Sequence, residues 1–564
     1  MRWKILAAAA LLLCICIPCR AGGPAFVAGS GYDPGVKGQS LIWAQGNVVY
    51  YTDQGDLSPI LNNSQADAFV ATAFVPWTSL PYVALAATQG GHLAEDVNGS
   101  NVSCDPQGNC TMPADIQPTA LATPVGIVYD YDGTVTDAFL GAGAGDAGNC
   151  FFNAVYGGPD NFSTAGNIVH ALVVINGVCA VSSSQLPDVQ YRLERTLARA
   201  TGLGWSQANL NVQTGGPPRP GSDDFEGFPL MHYYDSIACV PISVCYPDPV
   251  VPKMDDRAAM GRLYPVTTGN QGGFPGKQVF GQQTTRIHGT LYFTDASGNP
   301  MQPMQGVNVV ARWIDAGGQP SRQYVATSVS GFAFRGNAGN IINGYLDAHG
   351  LRYDRFGSDD PTLEGFFDLA GLEIPGGNNS AQYQLSVEAV DENWSEGVVP
   401  YAPSQVAPSG RFAPLTITVQ LGTDVTNDIW MQQNEQVGVR PGLGATYANP
   451  ATLPTGGGWA SWISGYGNAD WFQFTAQANR TASVAVMALD EQGQPTEIKV
   501  APVIGMWPLS DQSGGPAPAA TPSAFNTGVA GMSRLDAQFN GGGAFRLGVA
   551  DFRGDGRPDY SVVS

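Results

Sequence analysis

Residues 190–211 read QYRLERTLARATGLGWSQANLN, and this stretch decides how the N-terminal half folds. Leu186, Val189, Leu193, Leu197 and Ala200 recur at helical spacing, so one apolar stripe should face a core. Asp188, after Pro187, is the expected N-cap, and Gly202 is the expected stop. Arg192, Arg195 and Arg199 form a second stripe at i, i+3 and i+7. Glu194 precedes Arg195 and therefore points to a different side of the helix.

Working outward, residues 168–175 and 125–129 are apolar, β-branched runs that suit buried strands. Residues 66–77 (ADAFVATAFVPW) carry a helical face of Ala66, Phe69, Val70, Ala73 and Trp77, and residues 48–52 form a β-rich run before them. Downstream come Pro229-Leu230-Met231-His232 and then MDDRAAMGRLY over 254–264.

Taken together, residues 22–265 resemble the catalytic domain of matrixins, a group of metzincin zinc peptidases. The tail Gly202-Leu203-Gly204-Trp205-Ser206-Gln207 is similar to the glycine turn closing their active-site helix, whose pattern is H-E-x-x-H-x-x-G-x-x-H. Pro229 to His232 resembles their methionine turn, centred on Met231. Residues 254–264 are similar to their closing helix, and strand, helix, strands, helix, turn and helix follow in the family's order. Setting Gly202 on the pattern's glycine puts Arg195 and Arg199 on the first two histidines. Thr196 then falls on the catalytic glutamate and Trp205 on the third histidine. A catalytic zinc needs three protein ligands and a carboxylate to take a proton from its water. None survives at these positions, so the resemblance implies an α+β domain without zinc or peptidase activity.

If that alignment holds, Arg195 and Arg199 point into the former metal cleft. Two guanidinium groups there could grip a carboxylate or phosphate. The plainer reading, which we prefer, has them pairing with Asp223, Asp224 or Glu226 in place of the metal. A rebuilt zinc site would have to draw in His170 or His232.

The chain opens Met-Arg-Trp-Lys, an apolar run follows over 5–17, and Cys19-Arg20-Ala21 suits signal-peptide cleavage. Residues 1–21 are therefore read as a secretory signal cleaved near Ala21. The apolar run is shorter than the roughly 20 residues of a membrane span, and the mature chain should have no span. A formal net charge of −21 repels phosphate backbones and argues against nucleic acid as a partner. Six cysteines follow the signal, and an even number in an exported chain reads as disulfides. The simplest pairing is Cys104–Cys110, Cys150–Cys179 and Cys239–Cys245.

With 72 glycines and 41 prolines, the chain favours strands and turns. Residues 266–283 look like a linker. Residues 284–421 resemble a prealbumin-like or carboxypeptidase-regulatory β-sandwich, with 287–293 and 307–313 as two strands around a turn and 336–379 as a polar insertion. Residues 422–564 are similar to the pre-peptidase C-terminal β-sandwich, through Asn468-Ala469-Asp470-Trp471-Phe472-Gln473-Phe474. The expected fold is multidomain: one metzincin-like α+β domain and two all-β sandwiches.

Two further motifs carry possible chemistry. Asp551, Asp555 and Asp559 are spaced as in calcium loops, but Arg553 takes a ligand position, so an acid-rich turn is preferred to calcium. Asp130-Tyr131-Asp132-Gly133-Thr134 matches the nucleophile loop of haloacid-dehalogenase-type phosphatases. Asp-Gly is also a common turn, and an alternating βα pattern is not evident. The favoured reading is a secreted, non-catalytic peptidase-like protein that binds an extracellular protein or polymer and needs no cofactor. The alternative is a secreted zinc metalloendopeptidase with a non-standard metal site, and the phosphatase is remote.

Overall fold

The computed structural model describes residues 23–29, 31–105, 109–214, 218–232, 246, 248–294, 300–303, 307–334, 345–346, 352–353, 356–358, 360–363, 365–388, 412–431, 448–453, 469–487, 502–510, 524–525 and 532–551. The signal segment, Cys239, Cys245, Asp555 and Asp559 lie outside the described residues, as does the side chain of Asp551. The architecture is mixed and strand-rich, with its strands divided among several sheets.

The N-terminal sheet holds β1 (Ile42–Trp43), β2 (Asn47–Thr52), β3 (Ala86–His92), β4 (Val125–Asp130), β5 (Val155–Phe162) and β6 (Asn167–Asn176). Its order is β1-β6-β4-β2-β3, all in parallel, with β5 antiparallel to β6. Central β4 is buried along its whole length, as its unbroken run VGIVYD requires of a parallel strand covered on both faces. Helices α1 (Asn63–Thr78) and α2 (Leu186–Ala200) cover one face. Val70, Ala73 and Trp77 of α1 and Leu193 and Leu197 of α2 share one core with Ala171, Val173 and Ile175 of β6. Val128, Val174, Ile116 and Val135 build a second core on the other face. The disulfides Cys104–Cys110 and Cys150–Cys179 form as the simplest pairing expects.

The start of α2 differs from the expectation. Gln185, not Asp188, is its N-cap, and Pro187 and Asp188 fall in the first turn. Pro suits that turn because its missing N–H has no partner to lose there. The end is as expected. Gly202 takes φ +89°, and a side chain there would meet the Leu41 carbonyl at 2.6 Å. Leu203 N–H bonds the Ala198 carbonyl at 3.1 Å and Gly202 N–H that of Arg199 at 2.8 Å, the two bonds of a Schellman stop.

Helix α3 (Met254–Leu263) joins this unit to the next. That unit contains β7 (Thr285–Thr294), β8 (Asn308–Ile314), β9 (Pro320–Val329), β10 (Phe366–Leu372), β11 (Ser380–Glu388), β12 (Leu415–Gln420), β13 (Asp424–Thr426) and β14 (Ile429–Met431). One sheet centres on β7, with β10 antiparallel and β13 and β14 parallel to it. The other runs β9-β8-β11-β12. Ile287, Leu291, Val309, Ala311, Phe367 and Tyr383 fill the space between them.

Four expectations change here. Strands β7 and β8 are not partners but lie in opposite sheets, and β7 pairs instead with residues 300–303. The stretch 336–379, read as a polar insertion, contains β10, a core strand, and Phe356, whose ring lies 5.5 Å from Phe26 and 5.6 Å from Phe162 of the N-terminal unit. The sandwich extends through Met431, past the boundary expected at 421, because β13 and β14 complete the β7 sheet. Residues 266–283 are a docked strap, since Lys277 Nζ donates to the carbonyls of Thr78, Leu80 and Val83 at 2.5–3.0 Å.

The C-terminal part has two facing sheets. Strands β15 (Ala469–Ala476), β17 (Pro502–Pro508) and β19 (Gly543–Asp551) make one, and β16 (Arg480–Met487) pairs with β18 (Met532–Phe539) in the other. Phe472, Ile504, Leu535 and Leu547 share their core.

Candidate functional site

The Schellman stop turns the chain back beneath α2, which brings Trp205 under the arginine stripe. Arg195 is buried, its guanidinium 4.9 Å from the Tyr191 ring centre and 5.0 Å from that of Trp205. It donates through Nη1 to the Tyr191 hydroxyl at 2.7 Å and through Nη2 to the His232 carbonyl. Arg199 lies 4.6 Å over the Trp205 ring, half-buried. Arg192 turns away onto Phe151 at 4.9 Å, so the stripe divides. Thr196 is buried in the helix.

His232, the residue after Met231, is buried and its ring is fixed at both nitrogens. Nδ1 sits 2.7 Å from the Pro229 carbonyl and must donate to it. Nε2 then accepts from the Tyr191 hydroxyl at 2.9 Å, and that hydroxyl in turn accepts from Arg195. The Tyr191 hydroxyl, both ring nitrogens of His232 and the Pro229 carbonyl are thereby satisfied in a buried setting, where an unpaired group would cost most. The Phe228 ring stacks on His232 at 4.3 Å.

The acidic pair of α3 fixes the same turn from below. Asp256 accepts from the amides of Leu230 (2.8 Å), Met231 (3.0 Å) and Lys253 (2.8 Å), which pins the segment around Met231 to the start of α3. Burial pushes its carboxyl up to about 6, against these hydrogen bonds. Asp255 accepts from the Ser206 hydroxyl and from the Thr327 amide at 2.6 Å, tying the glycine-turn tail to the first sandwich. Ser206 N–H meets the Met231 carbonyl at 2.6 Å.

The expected pairing of Arg195 or Arg199 with Asp224 is replaced. Asp224 is taken by Arg322 of the sandwich at 2.5 Å, together with Asn211 and the Gly221 amide. The sandwich competes for this carboxylate because β9 packs directly on the segment that carries it. Arg257 of α3 likewise makes a two-pronged pair with Glu373 at 2.6 and 2.7 Å.

The residues present do not fit zinc. Arg195, Thr196, Arg199 and Trp205 supply two cations, a hydroxyl and an indole. Both nitrogens of His232 are engaged. His170 is bonded to Asp160 at 2.6 Å, and strand alternation puts it opposite Ala171, on the face away from α2. Among the described residues no group of three or more His, Cys, Asp or Glu side chains is placed to hold a metal.

The Asp130 loop is tied to the helix that follows it. Both oxygens of Asp130 are used on the following short helix, accepting from the amides of Val135 (3.0 Å) and Thr136 (2.7 Å) and the Thr136 hydroxyl (2.6 Å). Asp132 accepts from Thr134. These bonds satisfy amides in the first turn of that helix.

Sequence reasoning missed Tyr191, whose hydroxyl links Arg195 to His232. Its position at i−4 from Arg195 was the available signal. It also left Glu194 without a role. Glu194 is fully buried, its Oε1 accepting from Gln190 at 2.9 Å and its Oε2 without a partner. Burial drives its carboxyl up to about 8, and the Gln190 bond offsets only part of this.

No family model matches the chain, and no curated protein matches it. Among solved structures it is similar to a streptococcal ancillary pilin, at 13% identity and TM-score 0.12, over 48% of this chain and 51% of that one. It is also similar to the full-length RrgB pilus protein of Streptococcus pneumoniae, at 11% identity and TM-score 0.13, over 48% of this chain and 44% of that one. The chain thus spans about half the length of these structures. At such scores the likeness transfers neither fold nor role.

Proposed function

We propose that this is a secreted, non-catalytic relative of the matrixins, in which an arginine cross-brace stands where the zinc would be. The observation that carries the reading is Arg195, on the position of the first metal ligand, bonded to the Tyr191 hydroxyl and the His232 carbonyl between two aromatic faces. A metal in that place would bind the active-site helix to the groups beneath it. The guanidinium makes the same connection with hydrogen bonds, linking α2 to the methionine turn. Support comes from the succession of strand, helix, strands, helix, methionine turn and closing helix. The two disulfides and the strand-rich units that follow suit a protein working outside the cytoplasm. Its role is then binding or structural, toward an extracellular protein or polymer.

The test is proteolysis of an unfolded protein substrate by the full chain in zinc-supplemented buffer, with and without a chelator. No chelator-sensitive cleavage is expected. Chelator-sensitive cleavage would overturn the proposal.

A further inference from the structure

A cleft of about 460 Å³ opens between the first halves of α1 and α2. Its walls are apolar, formed by Phe69 of α1, Leu186 and Pro187 of α2, and Pro249 and Val250. The volume falls in the range of small-molecule sites. Gln190 and Ser183 are the polar residues of its lining. Leu186, Gln190 and Glu194 follow one another at i, i+4 and i+8, so they stand on one face of α2. The amide of Gln190 therefore connects the cleft to the buried carboxyl behind it, whose second oxygen has no partner.

An acid buried this way lacks the one thing that would make its charge tolerable, a cation. Among the described residues, none of the elements packed on α2 provides it. Asp67 of α1 is bonded to His92 and Tyr129, and Asp160 and His170 of β5 and β6 are bonded to each other. Apolar walls leading to an unmatched carboxyl complement an aliphatic chain that ends in a positive charge.

We propose that this cleft binds a small aliphatic amine, its alkyl chain against Phe69, Leu186 and Val250 and its ammonium group paired with Glu194. Binding converts the neutral acid to a carboxylate, so each bound ammonium ion releases one proton to solvent. The ammonium takes over the contact that the Gln190 amide makes in its absence.

The experiment is calorimetric titration of the full chain with n-hexylammonium chloride at pH 7, repeated in two buffers of different ionisation heat. n-Hexanol serves as the neutral equivalent. Saturable binding is expected, with a buffer-dependent heat corresponding to one proton and at least tenfold preference over hexanol. Glu194→Gln should bind hexanol as before and lose the preference for the amine. Leu186→Trp, which fills the cleft, should block both ligands while leaving the near-ultraviolet circular dichroism native. Absence of binding, equal affinity for amine and alcohol, no proton release, or undiminished amine preference in Glu194→Gln would each overturn the proposal.

Discussion

Replacing Arg195 with Met keeps the aliphatic stem between Tyr191 and Trp205 and removes the guanidinium. Two acceptors then lose their donor inside the protein, the Tyr191 hydroxyl and the His232 carbonyl. A hydrogen bond to a charged group contributes about 1.5–3 kcal/mol, and a buried group left unpaired adds to the loss. The expected cost is about 3–5 kcal/mol, read from urea unfolding followed by tryptophan fluorescence, since Trp43, Trp77 and Trp205 all lie in this unit. Arg199→Met is the control. Arg199 is half-buried on the Trp205 ring, and losing that contact should cost about 1 kcal/mol or less. Tyr191→Phe combined with Arg195→Met should show a coupling of about 1–2 kcal/mol, because the two residues belong to one hydrogen-bond chain. A loss below about 1 kcal/mol for Arg195→Met, the size of a surface change, would refute the cross-brace.

Four further outcomes are expected. Glu194 keeps its proton in the folded chain up to about pH 8, whereas the unfolded chain gives it up near 4.5, so stability falls as pH rises through that window. Between pH 6 and 8 the wild type should lose about 2–3 kcal/mol that Glu194→Gln retains, at about 1.4 kcal/mol per pH unit; the raised carboxyls of Asp53 and Asp256, near 6, act below this range. Glu373→Gln should loosen the first sandwich from α3, costing about 2–4 kcal/mol by leaving Arg257 largely buried without its partner, checked by chemical denaturation and limited proteolysis at the junction. Replacing Cys150 and Cys179 with Ser should cost about 3–4 kcal/mol from loop entropy, measured the same way. Asp130→Ala should lower stability by about 1–2 kcal/mol through loss of a helix cap, and phosphatase activity on a phosphomonoester should be absent both before and after.

The N-terminal unit was legible where local pattern and tertiary role agree. The stripe from Val189 to Ala200, the stop at Gly202 and the buried runs in β4 and β6 each carry their own signal in a few consecutive residues. Pairing across long separations was not legible. Strand β10 reads Phe-Phe-Asp-Leu-Ala-Gly-Leu, too mixed to separate from its polar surroundings, yet it pairs with β7 some eighty residues earlier. The same holds for β13 and β14, short segments whose role exists only beside β7. At the candidate site, the residues that occupy the ligand positions of the matrixin-like pattern could be read by counting from Gly202. The Arg195–Tyr191–His232 chain could not, because it joins residues forty apart, and Asp224 was drawn off by Arg322, about a hundred residues downstream. Glu194 could be assigned to another side of the helix, but not its full burial, which depends on α1.

The most direct measurement is the metal content of the purified full-length protein after dialysis against zinc, by inductively coupled plasma mass spectrometry, together with its melting temperature before and after chelation. A cross-brace made by Arg195 leaves the protein without stoichiometric zinc and its melting temperature unchanged by the chelator. One tightly held zinc per chain, with a melting temperature that falls on chelation and is restored by zinc, would contradict it.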